Sequence, residues 1–95
     1  MVIGILEMIL YLPESHSLKE KRQVVKSIKD KVHNRFNVAI AEIDDLDLWQ
    51  KAHLGVCSLG NDRSQVNGRL DVVINFIERL QLAVDIDTQI ELLDY

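Results

Sequence analysis

One short stretch gathers side chains able to act together on a charged ligand. Lys19, Arg22, Lys26, Lys29 and His33 recur at spacings of three and four, which on a helix confines them to an arc of about 80°. Four permanent cations along roughly three turns can meet successive phosphates. For single-stranded RNA, counterion release then predicts a log–log salt slope of roughly −3. Arg35 and Arg63 are candidate flanking contacts. The competing reading of the stripe is a solvated helix face that keeps the chain dispersed in water.

Other chemistry-bearing residues carry less. His16 lies between Ser15 and Ser17, where a ring nitrogen could meet a ligand oxygen near exposed helix-start amides. No second acid, nucleophile or histidine adjoins it, so a loop-packing or capping role is favoured and no catalytic residue is assigned. Glu42, Asp44, Asp45 and Asp47 fit no calcium loop, which needs a central glycine and a terminal glutamate; they read as a solvated acidic turn. His53 and Cys57 are four apart, roughly 13 Å along a strand, too far to share a metal. Cys57 reads as a small buried apolar residue, and neither metal nor cofactor is expected. Trp49, the only tryptophan, either closes one end of the core or anchors a partner protein.

The chain that must position these residues is short. Its 95 residues, 47% hydrophobic and 27% charged with one proline, give one small packed domain, residues 1–95, and exclude a disordered or low-complexity chain. A lone cysteine asks for no oxidising compartment. The apolar N-terminal run holds Glu7, lacks a basic leader and is too short to span a bilayer, so no membrane is expected and the setting is read as cytoplasmic. The net charge of −4 conceals a division. Residues 19–35 hold seven Lys and Arg against Glu20 and Asp30, a net of +5, which leaves −9 on the rest. One basic element on an acidic body can address a phosphate or an acidic partner locally while the whole resists indiscriminate polyanion binding.

Val2 to Leu12 is a continuous apolar, β-branched run and reads as a central strand, stopped by Pro13. Ser17-Leu18-Lys19-Glu20 matches a capping box, with the Ser17 hydroxyl accepting from the Glu20 amide and the Glu20 carboxylate returning to the Ser17 amide. The helix it starts carries Leu18, Val25, Ile28, Val32 and Phe36 on one side and ends near Asn34-Arg35. Strands follow over Asn37 to Asp44 and Lys51 to Leu59, the second with small residues that suggest close approach of a neighbouring layer. Asp62 and Gln65 cap a second helix striped by Val66, Leu70, Val73, Ile74, Ile77 and Leu80. From Val84 to Leu92 apolar and polar residues alternate, the pattern of a strand with one wet face.

Strand, helix, strand, strand, helix, strand, joined by right-handed crossovers, gives an α+β ferredoxin-like sandwich: one four-stranded antiparallel sheet with two helices on one face. The opposite face is open; the pattern leaves either strand parity free to form it, and the expected set has Ile3, Ile5, Ile9 and Tyr11 as apolar contributors from the first strand beside Glu7, and His53, Gly55 and Cys57 from the third. An apolar face of that kind calls for cover, so a homo-oligomer, a dimer before other orders, is expected through it and Trp49. Two familiar chemistries of this fold are disfavoured. The third strand has no aromatic for base stacking, and Pro13 to Ser17 has no arginine to cradle an acyl phosphate.

Ser15-His16-Ser17-Leu18-Lys19-Glu20-Lys21-Arg22, Asn34-Arg35-Phe36-Asn37-Val38, Ala41-Glu42, Asp47-Leu48-Trp49-Gln50 and Asn61-Asp62-Arg63 together resemble the YlxP-like bacterial family of unknown function, over nearly the whole chain. The resemblance implies a ferredoxin-like fold and a bacterial cytoplasmic setting. Its genes neighbour those for transcription elongation, translation initiation and small-subunit maturation, which implies by association a place around RNA or the ribosome. The resulting expectation is a non-enzymatic RNA- or ribosome-associated accessory protein using the basic first helix. The alternative is a homo-oligomeric protein-interaction module using the open sheet face.

Overall fold

A computed structural model describes all 95 residues. Strand β1 (Val2–Tyr11) leads to helix α1 (Leu18–Arg35), strands β2 (Ala39–Asp44) and β3 (Lys51–Gly60), helix α2 (Arg63–Arg79) and strand β4 (Val84–Asp94). The strands form one antiparallel sheet in the order β2-β3-β1-β4, so β1 and β3 are central and the fold is ferredoxin-like. The even-numbered residues of β1 and β3, among them Leu6, Met8, Leu10, Leu54 and Val56, are buried beneath the helices. Val25, Ile28 and Val32 of α1 and Leu70, Val73 and Ile77 of α2 close that core.

Helix α2 sits close to the sheet where one position lacks a side chain. A Cβ on Gly4 would stand 2.6 Å from Val66 Cγ1 and 2.8 Å from Leu70 Cδ1. Close approach was expected at β3; its tightest point is on β1, and β3 contributes Ala52, buried under the helices, and Ser58, whose Oγ accepts a 2.6 Å hydrogen bond from Arg69. Two strand boundaries also differ from expectation. β2 starts at Ala39, since Asn37 and Val38 carry the chain from the α1 C-cap to the register Ala39↔Cys57. β1 stops at Tyr11, one residue short of Leu12, whose amide still donates to the Gln50 carbonyl at 2.8 Å in line with the β1–β3 register before Pro13, which has no amide hydrogen, ends the ladder.

Odd-numbered residues form the open face in aligned rows: Leu59, Ile3 and Leu93; Cys57, Ile5 and Glu91; His53, Ile9 and Asp87. Cys57 is exposed there, contrary to the burial expected of it, because its parity on β3 points away from the helices. Its small size suits a sheet surface as well as a core. Glu7 Oε1 and His53 Nε2 approach to 3.4 Å across the middle of this face. No helix is long and apolar enough to cross a membrane.

Candidate nucleic-acid interface

The basic stripe is set by how α1 begins and which side it buries. Ser17, extended at φ −160°, caps the helix by accepting from the Glu20 amide at 3.1 Å. The Glu20 carboxylate returns to the His16 amide at 2.7 Å, one residue earlier than the Ser17 amide expected of a capping box. The extended cap turns the preceding N–H toward the first helical turn, and His16 thereby serves the helix start through its backbone while its ring is exposed. With Val25, Ile28 and Val32 turned inward, Arg22, Lys26 and Lys29 are carried to the shoulder of the helix beside the edge strand β2.

There the structure brings Arg22, Lys26, Lys29 and His33 together along an open groove of about 450 Å³, whose far wall includes Ile40 and Glu42 of β2. Arg22, Lys26 and His33 are exposed and Lys29 is half-buried. Lys26 Nζ donates to Asp30 Oδ2 at 2.6 Å. That hydrogen bond holds the Asp30 carboxyl below its ordinary value of 3.8 against an opposing effect of desolvation, with the charges of Lys26, His33 and Lys29 adding to the lowering. Asp30 is the carboxylate that α1 itself sets among these cations, facing Glu42 of β2 in the same groove, and it occupies part of the charge that a phosphate would meet.

The other expected contacts lie apart from this groove. Lys19 is exposed one turn before Arg22 and does not line it. Arg35 stacks over the Phe76 ring, 5.2 Å from its centroid, and Phe36 meets the same ring edge-on at 5.4 Å. Arg63 pairs with Asp94 at 2.7 Å. These two arginines therefore have partners within the fold.

Lys21 departs furthest from the reading of residues 19–35 as one basic surface. It is fully buried, with Nζ 2.7 Å from Glu42 Oε2 and donating to the Asp45 carbonyl at 2.5 Å. The Glu42 oxygen is itself buried without an aligned hydrogen bond, so the Lys21 ammonium is its compensation. Glu42 accordingly belongs to an internal ion pair, which corrects its assignment to the solvated acidic turn. The signal was present in the spacing: on the wheel Lys21 falls in the middle of the arc of Val25, Ile28 and Val32, where a lone charge requires a buried partner. No group of three or more His, Cys, Asp or Glu side chains gathers in a metal-holding arrangement.

The expected interface residues divide between two places. Ile3, Ile5, Ile9 and Tyr11 are partly exposed on the open face, as their parity requires. Trp49, 53% exposed, stands in the β2–β3 turn with Leu46 and Leu48, also exposed.

Comparison with known proteins agrees with this fold and with the family resemblance. The de novo designed protein Foldit4 superposes with a TM-score of 0.55 at 12% identity, covering 99% of this chain and 97% of its own, a likeness of fold alone. The chain is 39% identical over 77 residues to the uncharacterized protein YlxP of Bacillus subtilis (strain 168), spanning 81% of this chain and 84% of that relative. Residues 3–90 match the family described as "Protein of unknown function (DUF503)". With that match spanning nearly all the chain and YlxP beside it, the protein belongs to the DUF503, or YlxP-like, family.

Proposed function

We propose that the protein is a non-enzymatic, cytoplasmic RNA- or ribosome-associated accessory domain that holds phosphate groups along the α1–β2 groove. The observation carrying this reading is the convergence of Arg22, Lys26, Lys29 and His33 on one accessible groove of an otherwise acidic molecule. Lys19 extends the same line toward the helix start. Phosphate contacts fix position and carry no base information, so binding is sequence-tolerant. The acidic body repels the strand from every other direction and thereby orients it. Anisotropy titration of a fluorescent single-stranded RNA over a range of KCl concentrations tests this. Binding should weaken with a slope of about −2 to −3, and each Gln substitution should reduce that slope by about 0.7. Replacing Lys19, Arg22, Lys26 and Lys29 together by Gln should abolish retention, and unchanged affinity would sink the proposal.

A second reading rests on the open sheet face. Leu59 is 62% and Leu93 38% exposed at either end of a row centred on Ile3. That apolar row is suited to stacking on a second copy, making the protein a homodimeric interaction module. The two readings use different faces, and a dimer closed through the sheet leaves the α1–β2 groove accessible.

A further inference from the structure

A different site lies where the β2–β3 turn meets the end of β1 and the start of β4. Tyr11, Leu48, Trp49 and Val84 line an open cleft of about 720 Å³, with Asp47 and Asp85 in the same lining. That volume falls within the range of roughly 300–1,000 Å³ usual for ligand sites. Neither carboxylate has a basic group within 4.0 Å. Lys51, the one cation in the lining, is drawn to Asp45 Oδ2 at 3.4 Å. The cleft thus presents two aromatic rings and aliphatic walls under two uncompensated negative charges.

Its walls are tied in place before anything binds. The Gln50 side chain donates to the carbonyls of Pro13 and Ser15 at 3.2 and 3.1 Å, joining the two loops that flank the cleft. Lys21 supports the turn from beneath through the Asp45 carbonyl, which also accepts from Leu48 N at 3.1 Å. On the opposite wall, the pairing of β1 with β4 slips between Ile9↔Asp87 and Tyr11↔Val84, leaving one extra residue on β4. Asp85 there adopts φ 49°, a left-handed conformation that aspartate tolerates better than most residues. Bulges of this type re-aim side chains, and Asp85 joins the cleft lining.

We propose that this cleft docks a cationic segment of a partner polypeptide, an Arg or Lys side chain held against the aromatic rings with aliphatic neighbours on Leu48 and Val84. Charge complementarity selects the cation, since ring faces and carboxylates attract the same group. The aliphatic walls select a peptide over a free small cation, which would leave them wet. The site is independent of the basic helix.

Because Trp49 is the only tryptophan, its emission reports on the cleft directly. Titration with acetyl-Leu-Arg-Leu-amide should give a saturating shift with Kd on the order of 1 mM or below, accompanied by amide NMR shifts at Tyr11, Trp49 and Val84. The peptide with Gln in place of Arg should bind at least about tenfold more weakly. Asp47→Asn/Asp85→Asn, in which Asn keeps the left-handed backbone accessible, should weaken the Arg peptide similarly. The four-Gln variant of α1 should retain binding. Absence of saturation in both emission and NMR, equal binding of the Gln peptide, or an unaffected double Asn variant whose circular dichroism is native would each overturn the proposal. Spermidine binding as tightly as the Arg peptide would overturn it in favour of a free-cation site.

Discussion

Lys21 shows how one side chain can belong to a charged run and serve the interior. Its ammonium reaches both the Glu42 carboxylate and the Asp45 carbonyl from a fully buried position. Removing one partner strands the other's charge. Lys21→Met is therefore expected to cost about 3–5 kcal/mol, while Lys21→Met/Glu42→Leu should recover most of that loss. Urea unfolding of both variants checks this; equal destabilisation would show that the pair is not the source. Asp30 gives the opposite case, a carboxylate on the surface. Its folded pKa is depressed, so the Lys26 contact stabilises the helix above the unfolded value near 3.9 and fades as pH falls through the lower folded one. Because both side chains are exposed to solvent, the effect on stability is small. An NMR titration should place the Asp30 midpoint below the ordinary value and return it upward in Lys26→Gln. If the groove holds phosphate, Asp30→Asn should raise RNA affinity by freeing Lys26. At this scale the sequence spoke through position on the wheel: the Arg22–Lys26–Lys29 stripe and the inward place of Lys21 are both legible there. The Glu42 partner is not, since it comes from a strand across the fold.

Among the elements, local chemistry foretold most of what formed. Both N-caps are made as expected, by Ser17 to Glu20 N and by Asp62 to Gln65 N at 3.0 Å; the alternation in β1 sorts its residues into two faces, while which of them is open is decided by where the helices pack. Burial of Cys57 was misread because small residues suit core and surface alike, leaving parity to decide. The close approach of α2 was displaced from β3 to Gly4 because it depends on where the helix crosses the sheet, which no single element encodes. At Gly4 the obstacle includes Val66 Cγ1, a branched side chain with little freedom to move. Gly4→Ala is accordingly expected to destabilise by about 1–3 kcal/mol through overpacking, measurable as a lowered urea midpoint at unchanged m-value. Wild-type stability in that variant would mean that the helix shifts freely over the sheet.

For the molecule as a whole, the basic groove and the open sheet face lie on different sides, and the apolar rows of that face are crossed by charge at Glu7, Asp87 and Glu91. The cations of α1 line one shoulder, the acids of β4 cross the open face at Asp87 and Glu91, and the apolar rows of β1 and β3 lie between that acidic strand and β2. If two copies stack through those rows, sedimentation equilibrium should return twice the 10.9 kDa of the chain, and Ile5→Lys, at the centre of a row, should return the single mass with unchanged circular dichroism. A wild-type protein sedimenting at the single mass would remove the dimer. Both outer strands of the sheet are also broken in register, β2 at Ile43 and β4 beside Asp85. The β2 rim therefore offers a foreign strand only the brief run Ala39 to Glu42 before the ladder is interrupted, while β4, in unbroken register from Asp87 to Asp94, lines its rim with the charges of Asp87, Glu91 and Asp94. A sheet left half uncovered can in this way remain dispersed at high concentration instead of seeding fibrils from its margins.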